Sequence, residues 1–179
     1  MRTGTMIRYG LWSSCVLAAA LAACGEADEV VEGPIAIASA WVQRIDDDPF
    51  ASHRPANVRC PPAGWRVEGS SIEVNTGECN YLSVEQPLLQ DVPEGATIIV
   101  DLWHQVLHAP AAAVGHAALA IDGEVVWERA VPIPNVGAVW RDETTAPRRF
   151  DAGEAIIFHL HNHGANSWNL GAVHIESNP

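Results

Sequence analysis

From Ser71 to the end of the chain, short apolar runs alternate with turn signals about every 8–15 residues, and no 3.6-residue period appears. That pattern excludes amphipathic helices and predicts strands. Ile72 and Val74 alternate with polar neighbours, and Tyr81–Val84 follows Cys79. Pro93-Glu94-Gly95 precedes the run 96–106, Asp151-Ala152-Gly153 precedes 154–162, and 168–175 makes a last strand. Asp122-Gly123 sits between two apolar runs, the strongest short-range hairpin signal. A two-residue turn there pairs Ile121 with Glu124 and Leu119 with Val126 on one face. It pairs Ala118 with Trp127 and His116 with Arg129 on the other. The expected fold is all-β: a single antiparallel, jelly-roll-like β-sandwich of about seven or eight strands over residues 71–179. Residues 35–70 are expected to be an irregular segment packed on it, with Ile35–Arg44 readable as strand or helix.

The N-terminus carries a different signal. Arg2 and Arg8 precede an uncharged, mostly apolar run, Leu11–Ala23. At 13 residues it is too short to span a bilayer as a helix, which needs ~20, and suits an export signal. Its end, Leu21-Ala22-Ala23-Cys24, resembles the bacterial lipobox: a branched apolar residue, two small residues, then Cys. The resemblance covers residues 1–24. It implies a signal peptide over 1–23, lipidation of Cys24 and partnership with a membrane through that lipid. Gly25, where an Asp would signal inner-membrane retention, resembles outer-membrane sorting, with the domain facing the periplasm or the cell surface. Residues 24–34 then read as an acidic tether.

Removing Arg2 and Arg8 leaves eight basic against 22 acidic residues, a net charge of −14, and every basic residue is Arg. This excludes nucleic acid and electrostatic docking on anionic lipid, both of which need clustered cations. Asp46-Asp47-Asp48 lacks the spaced oxygen ligands and turn glycine of a calcium loop and reads as solvated surface. Of four cysteines, Cys15 leaves with the signal and Cys24 takes lipid. Cys60 and Cys79 remain, an even pair for an oxidising compartment. A bridge between them closes a 19-residue separation, worth on the order of 3 kcal/mol in the chain-entropy model.

Two stretches share a frame: Gly95-x-x-Ile98-Ile99-x-x-Leu102 and Gly153-x-x-Ile156-Ile157-x-x-Leu160. They mark either equivalent strands in two halves of a sandwich or the common grammar of turn followed by buried strand. Seven of the eight histidines lie between positions 104 and 174. On a strand, His159, His161 and His163 share one face, and Ile156, Phe158 and Leu160 take the core face. Asp101 and Trp103 occupy the matching face in the shared frame. If the two strands are neighbours, one exposed face carries all of these groups.

Three readings of that face stay open. The first is a copper or zinc site on His159, His161, His163 and His104, with His116 or His174 as other third ligands. Gly153-x5-His159-x-His161 resembles the start of the cupin metal motif, without the Glu that follows it. A His-x-His strand also resembles copper-zinc superoxide dismutase, whose other signatures are missing. The second is a glycan- or small-ligand-binding face using Trp103, Asp101, His161, Trp168 and Asn169, since a flat indole beside polar groups suits sugars. The run Trp168–Ile175 resembles the last strand of galactose-binding-like jelly rolls. The third is structural: His and Asn side chains satisfy backbone groups around a tight corner at 162–169, and the domain packs or binds a protein partner. No Gly-x-Ser-x-Gly elbow or phosphate loop is present, so no catalytic residue is assigned. Chemistry would have to come from a metal on the histidine face. The sequence-level expectation is therefore non-catalytic binding of a glycan or protein partner, with a copper- or zinc-binding protein as the alternative.

Overall fold

A computed structural model describes residues 30–44 and 48–177. The export signal, Cys24, most of the acidic tether, Asp46 and Asp47 therefore lie outside the described residues. The described residues contain eleven strands: β1 (Gly33–Ala36), β2 (Val42–Gln43), β3 (Trp65–Glu68), β4 (Ser71–Asn75), β5 (Tyr81–Pro87), β6 (Thr97–His104), β7 (Ala113–Ile121), β8 (Glu124–Ile133), β9 (Ala138–Thr145), β10 (Ala155–His161) and β11 (Ser167–Glu176). One sheet runs β3-β4-β11-β6-β9, with β1 following β4 along the same edge of β11. The other runs β2-β5-β10-β7-β8, and every recorded pairing in both sheets is antiparallel.

This is the expected all-β sandwich, with eight strands (β4–β11) drawn from residue 71 onward. The segment 35–70 packs on the domain and also supplies strands to both sheets. Its Cys60 is bridged to Cys79.

Period-2 alternation builds the core. Ile98, Val100 and Leu102 of β6 meet Ile156, Phe158 and Leu160 of β10 in one buried cluster with Ile72, Leu119 and Trp168. The two echoing stretches are thus inner strands of opposite sheets. They are not neighbours, and the shared exposed face expected from that adjacency does not form.

The Asp122-Gly123 turn forms with both residues at positive φ, 47° and 77°, as a type I′ hairpin requires. Ile121 pairs with Glu124 as expected. Beyond it the register departs from a regular ladder. A bulge leaves Val126 as an extra residue, so Leu119 pairs with Trp127 and His116 with Ala130. The bulge has a packing cause: it turns the consecutive residues Val126 and Trp127 both into the core.

A strap, residues 48–54, crosses the outside of the five-stranded sheet. Phe50 closes a second small apolar cluster there with Ala118, Ala120 and Ile157. Asp48 is not solvated surface: its side chain is fully buried. It accepts hydrogen bonds from the Tyr81 hydroxyl and from the Phe50 amide at 3.0 Å. Burial opposes ionisation of this carboxyl, but those bonds, with His159 and Arg54 nearby, outweigh it and hold it below the usual carboxylate range.

Candidate functional site

The outer face of the six-stranded sheet carries one continuous row of side chains. Register pairs Arg66 (β3) with Glu73 (β4), Glu73 with Asn169 (β11), Asn169 with Trp103 (β6), and Trp103 with Val139 (β9). Neighbouring strands lie ~4.8 Å apart, so the row spans about 19 Å. Each member sits opposite in parity to a core residue. Trp103 alternates with Leu102 and His104, and Asn169 with Trp168 and Leu170.

A β11 bulge shapes the centre of the row. Between the pairs Leu170–Leu102 and Val173–Val100, Gly171 and Ala172 together oppose Asp101. A Cβ at Gly171 would lie 2.7 Å from Cζ3 of Trp103 and 3.1 Å from the Asp101 Cβ. The indole's six-membered ring therefore rests over Gly171, which only a missing side chain permits. Trp103 is half-buried, and Val139 beside it is 80% exposed, which leaves an apolar step open to solvent.

The charges around the indole are balanced in pairs. Arg141 lies 3.6 Å from Asp101, its cross-strand partner, and also pairs with Glu176. Its Nη2 donates to His174 Nε2 at 3.1 Å. Arg66 pairs with Glu73 and Glu68. Asp101, Trp103 and Asn169 are thus brought together as the sequence suggested. Gly171, Arg141, Val139, Glu73 and Arg66 are additions that only strand register supplies.

Two other residues of the ligand set lie elsewhere. Trp168 faces the core, fully buried, and its Nε1 donates to Asn162 Oδ1 at 3.2 Å. Its neighbour Asn169 lies on the outer face of the sheet, only 8% exposed among its neighbours, so alternation on one strand already forbids the two from sharing a surface. His161 projects from β10, on the outer face of the opposite sheet.

The histidines divide similarly. His159 and His161 share the outer face of β10, and Ile156, Phe158 and Leu160 take the core face, as read from the sequence. His163 lies beyond the end of β10, its ring centre 4.8 Å from that of His161. His104 belongs to the other sheet, where its ring packs 4.8 Å from Trp140 and 4.6 Å from Trp168. In its place, His116 of β7 pairs directly with His161, and His53 of the strap stacks on His116 at 3.8 Å. Among the described residues, no three His, Cys, Asp or Glu side chains are already arranged to hold a metal ion. Burial, reinforced by His116, pushes the His159 imidazole down to about 3. Burial, reinforced by His163, pushes His161 down to about 4. Both are neutral at pH 7.

The corner at 162–169 is a hydrogen-bonded junction. Asn162 Nδ2 donates to Thr76 Oγ1 and to the His163 carbonyl, each at 2.9 Å. Asn166 Nδ2 donates to the His108 and His163 carbonyls at 3.1 and 2.9 Å. The His108 amide donates back to Asn166 Oδ1 at 2.7 Å. Asparagines suit 162 and 166 because each amide offers both a donor and an acceptor: Asn166 to backbone groups of residues 108 and 163, and Asn162 to the Thr76 hydroxyl, the His163 carbonyl and the Trp168 indole.

No family model matches the chain, and no curated protein matches it. Among solved structures, it is similar to the K1 cleaved adhesin domain of Lys-gingipain from Porphyromonas gingivalis W83. That match has 12% identity and a TM-score of 0.48, covering 83% of this chain and 98% of that one. It is similar to a CBM4 structure at 17% identity and a TM-score of 0.39, over 65% of this chain and 96% of that one. It is also similar to the N-terminal cellulose-binding domain of Cellulomonas fimi β-1,4-glucanase C. There the identity is 16% and the TM-score 0.41, over 66% of this chain and 91% of that one.

Proposed function

We propose that this chain is an exported, lipid-anchored protein whose β-sandwich binds a glycan, without catalysis, on the outer face of its six-stranded sheet. The observation that carries the reading is the Trp103 indole resting over Gly171 at the centre of the cross-strand row. A solvent-accessible indole offers a stacking surface for the apolar face of a sugar ring. Asp101 and Arg141, paired across neighbouring strands beside it, supply hydrogen-bonding groups of both kinds. A row of about 19 Å is longer than one sugar ring and suits a chain. The strands hold these groups in place before any ligand arrives, which lowers the ordering cost of binding.

Glycan-array screening of the protein should find a ligand, and Trp103→Ala should weaken it about 30-fold (~2 kcal/mol), the usual loss for a central tryptophan. The variant should keep its far-UV spectrum and Tm, because the ring lies outside the core. A silent array, or binding unchanged in Trp103→Ala, overturns the glycan reading. Recovery of a protein ligand lost in the same variant would redirect it to a protein partner.

The anchor rests on the lipobox resemblance at Leu21–Cys24. Cys24→Ser should move the protein from the detergent phase to the aqueous phase in a two-phase separation. An unaltered partition would mean that Cys24 carries no lipid.

A further inference from the structure

We propose that His53, His116, His159 and His161 form a binding site for one divalent transition-metal cation, Cu²⁺ or Zn²⁺, beneath the strap on the five-stranded sheet. This site lies on the opposite side of the sandwich from the glycan row and is independent of it.

Topology brings the four residues together, and the rings of His53, His116 and His159 pack on one another with His161 alongside. His161 and His116 are direct cross-strand partners, and His159 lies two residues along β10 on the same face. The strap brings His53 over them. Ring centres lie 5.5 Å apart for His116–His159 and 5.8 Å for His53–His159. Imidazoles that ligate one ion at ~2.0–2.1 Å place their ring centres roughly 4.5–6 Å apart. Those two pairs already fall in that range. The stacked pair His53–His116, at 3.8 Å, is closer and must part. His53 is half-buried on the strap, so its ring can turn without disturbing either sheet.

The second observation is a pair of buried nitrogens with nothing to bond to. His159 is fully buried, and its Nδ1–H donates to the Leu82 carbonyl at 3.1 Å. That bond fixes the tautomer and leaves Nε2 as a lone pair, and Nε2 has no partner. At His116, Nε2 faces the Glu128 carboxylate at 3.4 Å, which leaves Nδ1 as the lone pair, again buried and unpartnered. Buried acceptors without donors are costly and rare. A cation would satisfy both at once. A carbonyl or carboxylate behind each ring is also the usual support of a metal-bound histidine.

The donor set selects the metal class. Imidazole donors with no thiolate suit Cu²⁺ or Zn²⁺ and not Ca²⁺ or Mg²⁺, which take oxygen ligands. The nearest carboxylate on the strap, Asp48, is engaged by Tyr81, Phe50 and Arg54.

Metal-free full-length protein in detergent, titrated with ZnCl₂ or CuSO₄ alone, should take up one equivalent. The Cu²⁺ EPR spectrum should show hyperfine splitting from imidazole nitrogen. His53→Ala, a strap variant outside both sheets, should weaken uptake ~10-fold or more while leaving the far-UV spectrum intact. His159→Gln should weaken uptake and lower by one the number of coupled nitrogens in the spectrum. His174→Ala, on the opposite sheet, should leave uptake unchanged. The proposal is overturned by absence of saturable uptake, by uptake that His53→Ala leaves unchanged in a folded protein, or by a spectrum without imidazole nitrogen.

Discussion

Trp168→Ala should cost about 3–5 kcal/mol of unfolding free energy and lower Tm by roughly 10–15 °C. Two losses add. The indole is fully buried, so truncation opens a cavity against Gly115, Trp140 and His104. It also removes the donor to Asn162 Oδ1 and leaves that acceptor buried without a partner. Asn162 anchors the corner through Thr76 Oγ1 and the His163 carbonyl, so the defect reaches the loop joining β10 to β11. Trp168→Phe separates the two losses, because it keeps most of the ring volume and loses the hydrogen bond. Urea unfolding of both variants at pH 7 measures this. A cost below about 1 kcal/mol for Trp168→Ala would contradict a packed, hydrogen-bonded indole.

Gly164→Ala should be nearly as damaging, at ~2 kcal/mol or more. The residue has φ +85°, where a Cβ is strained. A Cβ there would also lie 1.9 Å from the His108 carbonyl oxygen and 3.0 Å from its carbon. Both contacts are backbone, so no side-chain rotation relieves them. The His108 segment would have to move away from Asn166, breaking the bonds that tie the corner to the loop after β6. Gly153→Ala is the control. Its φ of +91° is similar, but nothing lies within 4 Å of the added carbon. It should carry the backbone strain alone, ~1 kcal/mol. Equal costs for the two variants in thermal unfolding would rule out the close approach of the 108 and 164 segments.

Much of the strand architecture was legible from local pattern. Ile156, Phe158 and Leu160 alternate with His159 and His161 because a strand turns successive side chains to opposite faces, and this needs no knowledge of neighbours. Asp122-Gly123 announces its turn because only a few residues tolerate positive φ twice in succession. Cys60 and Cys79 were paired by elimination. The same alternation should have separated Trp168 from Asn169, which are adjacent on one strand. The bulge at Val126 left one legible trace, the adjacent apolar pair Val126-Trp127, whose partners in the core lie in distant sequence.

The amino-acid sequence by itself determined most of the strands from residue 71 onward and which face of each is apolar, but not β3 or β9. Alternation and turn chemistry are local properties. Sheet membership is not. Only the tertiary structure decided that β6 and β10 belong to opposite sheets, so Trp103 shares its face with Asn169 and Arg141 and not with His161. Only it placed His53 of the strap over His116 and His159. Both arrangements arise from strand pairing and loop docking between residues far apart in the chain. The free energy of those contacts depends on the whole packed sandwich and leaves no mark on neighbouring positions in sequence.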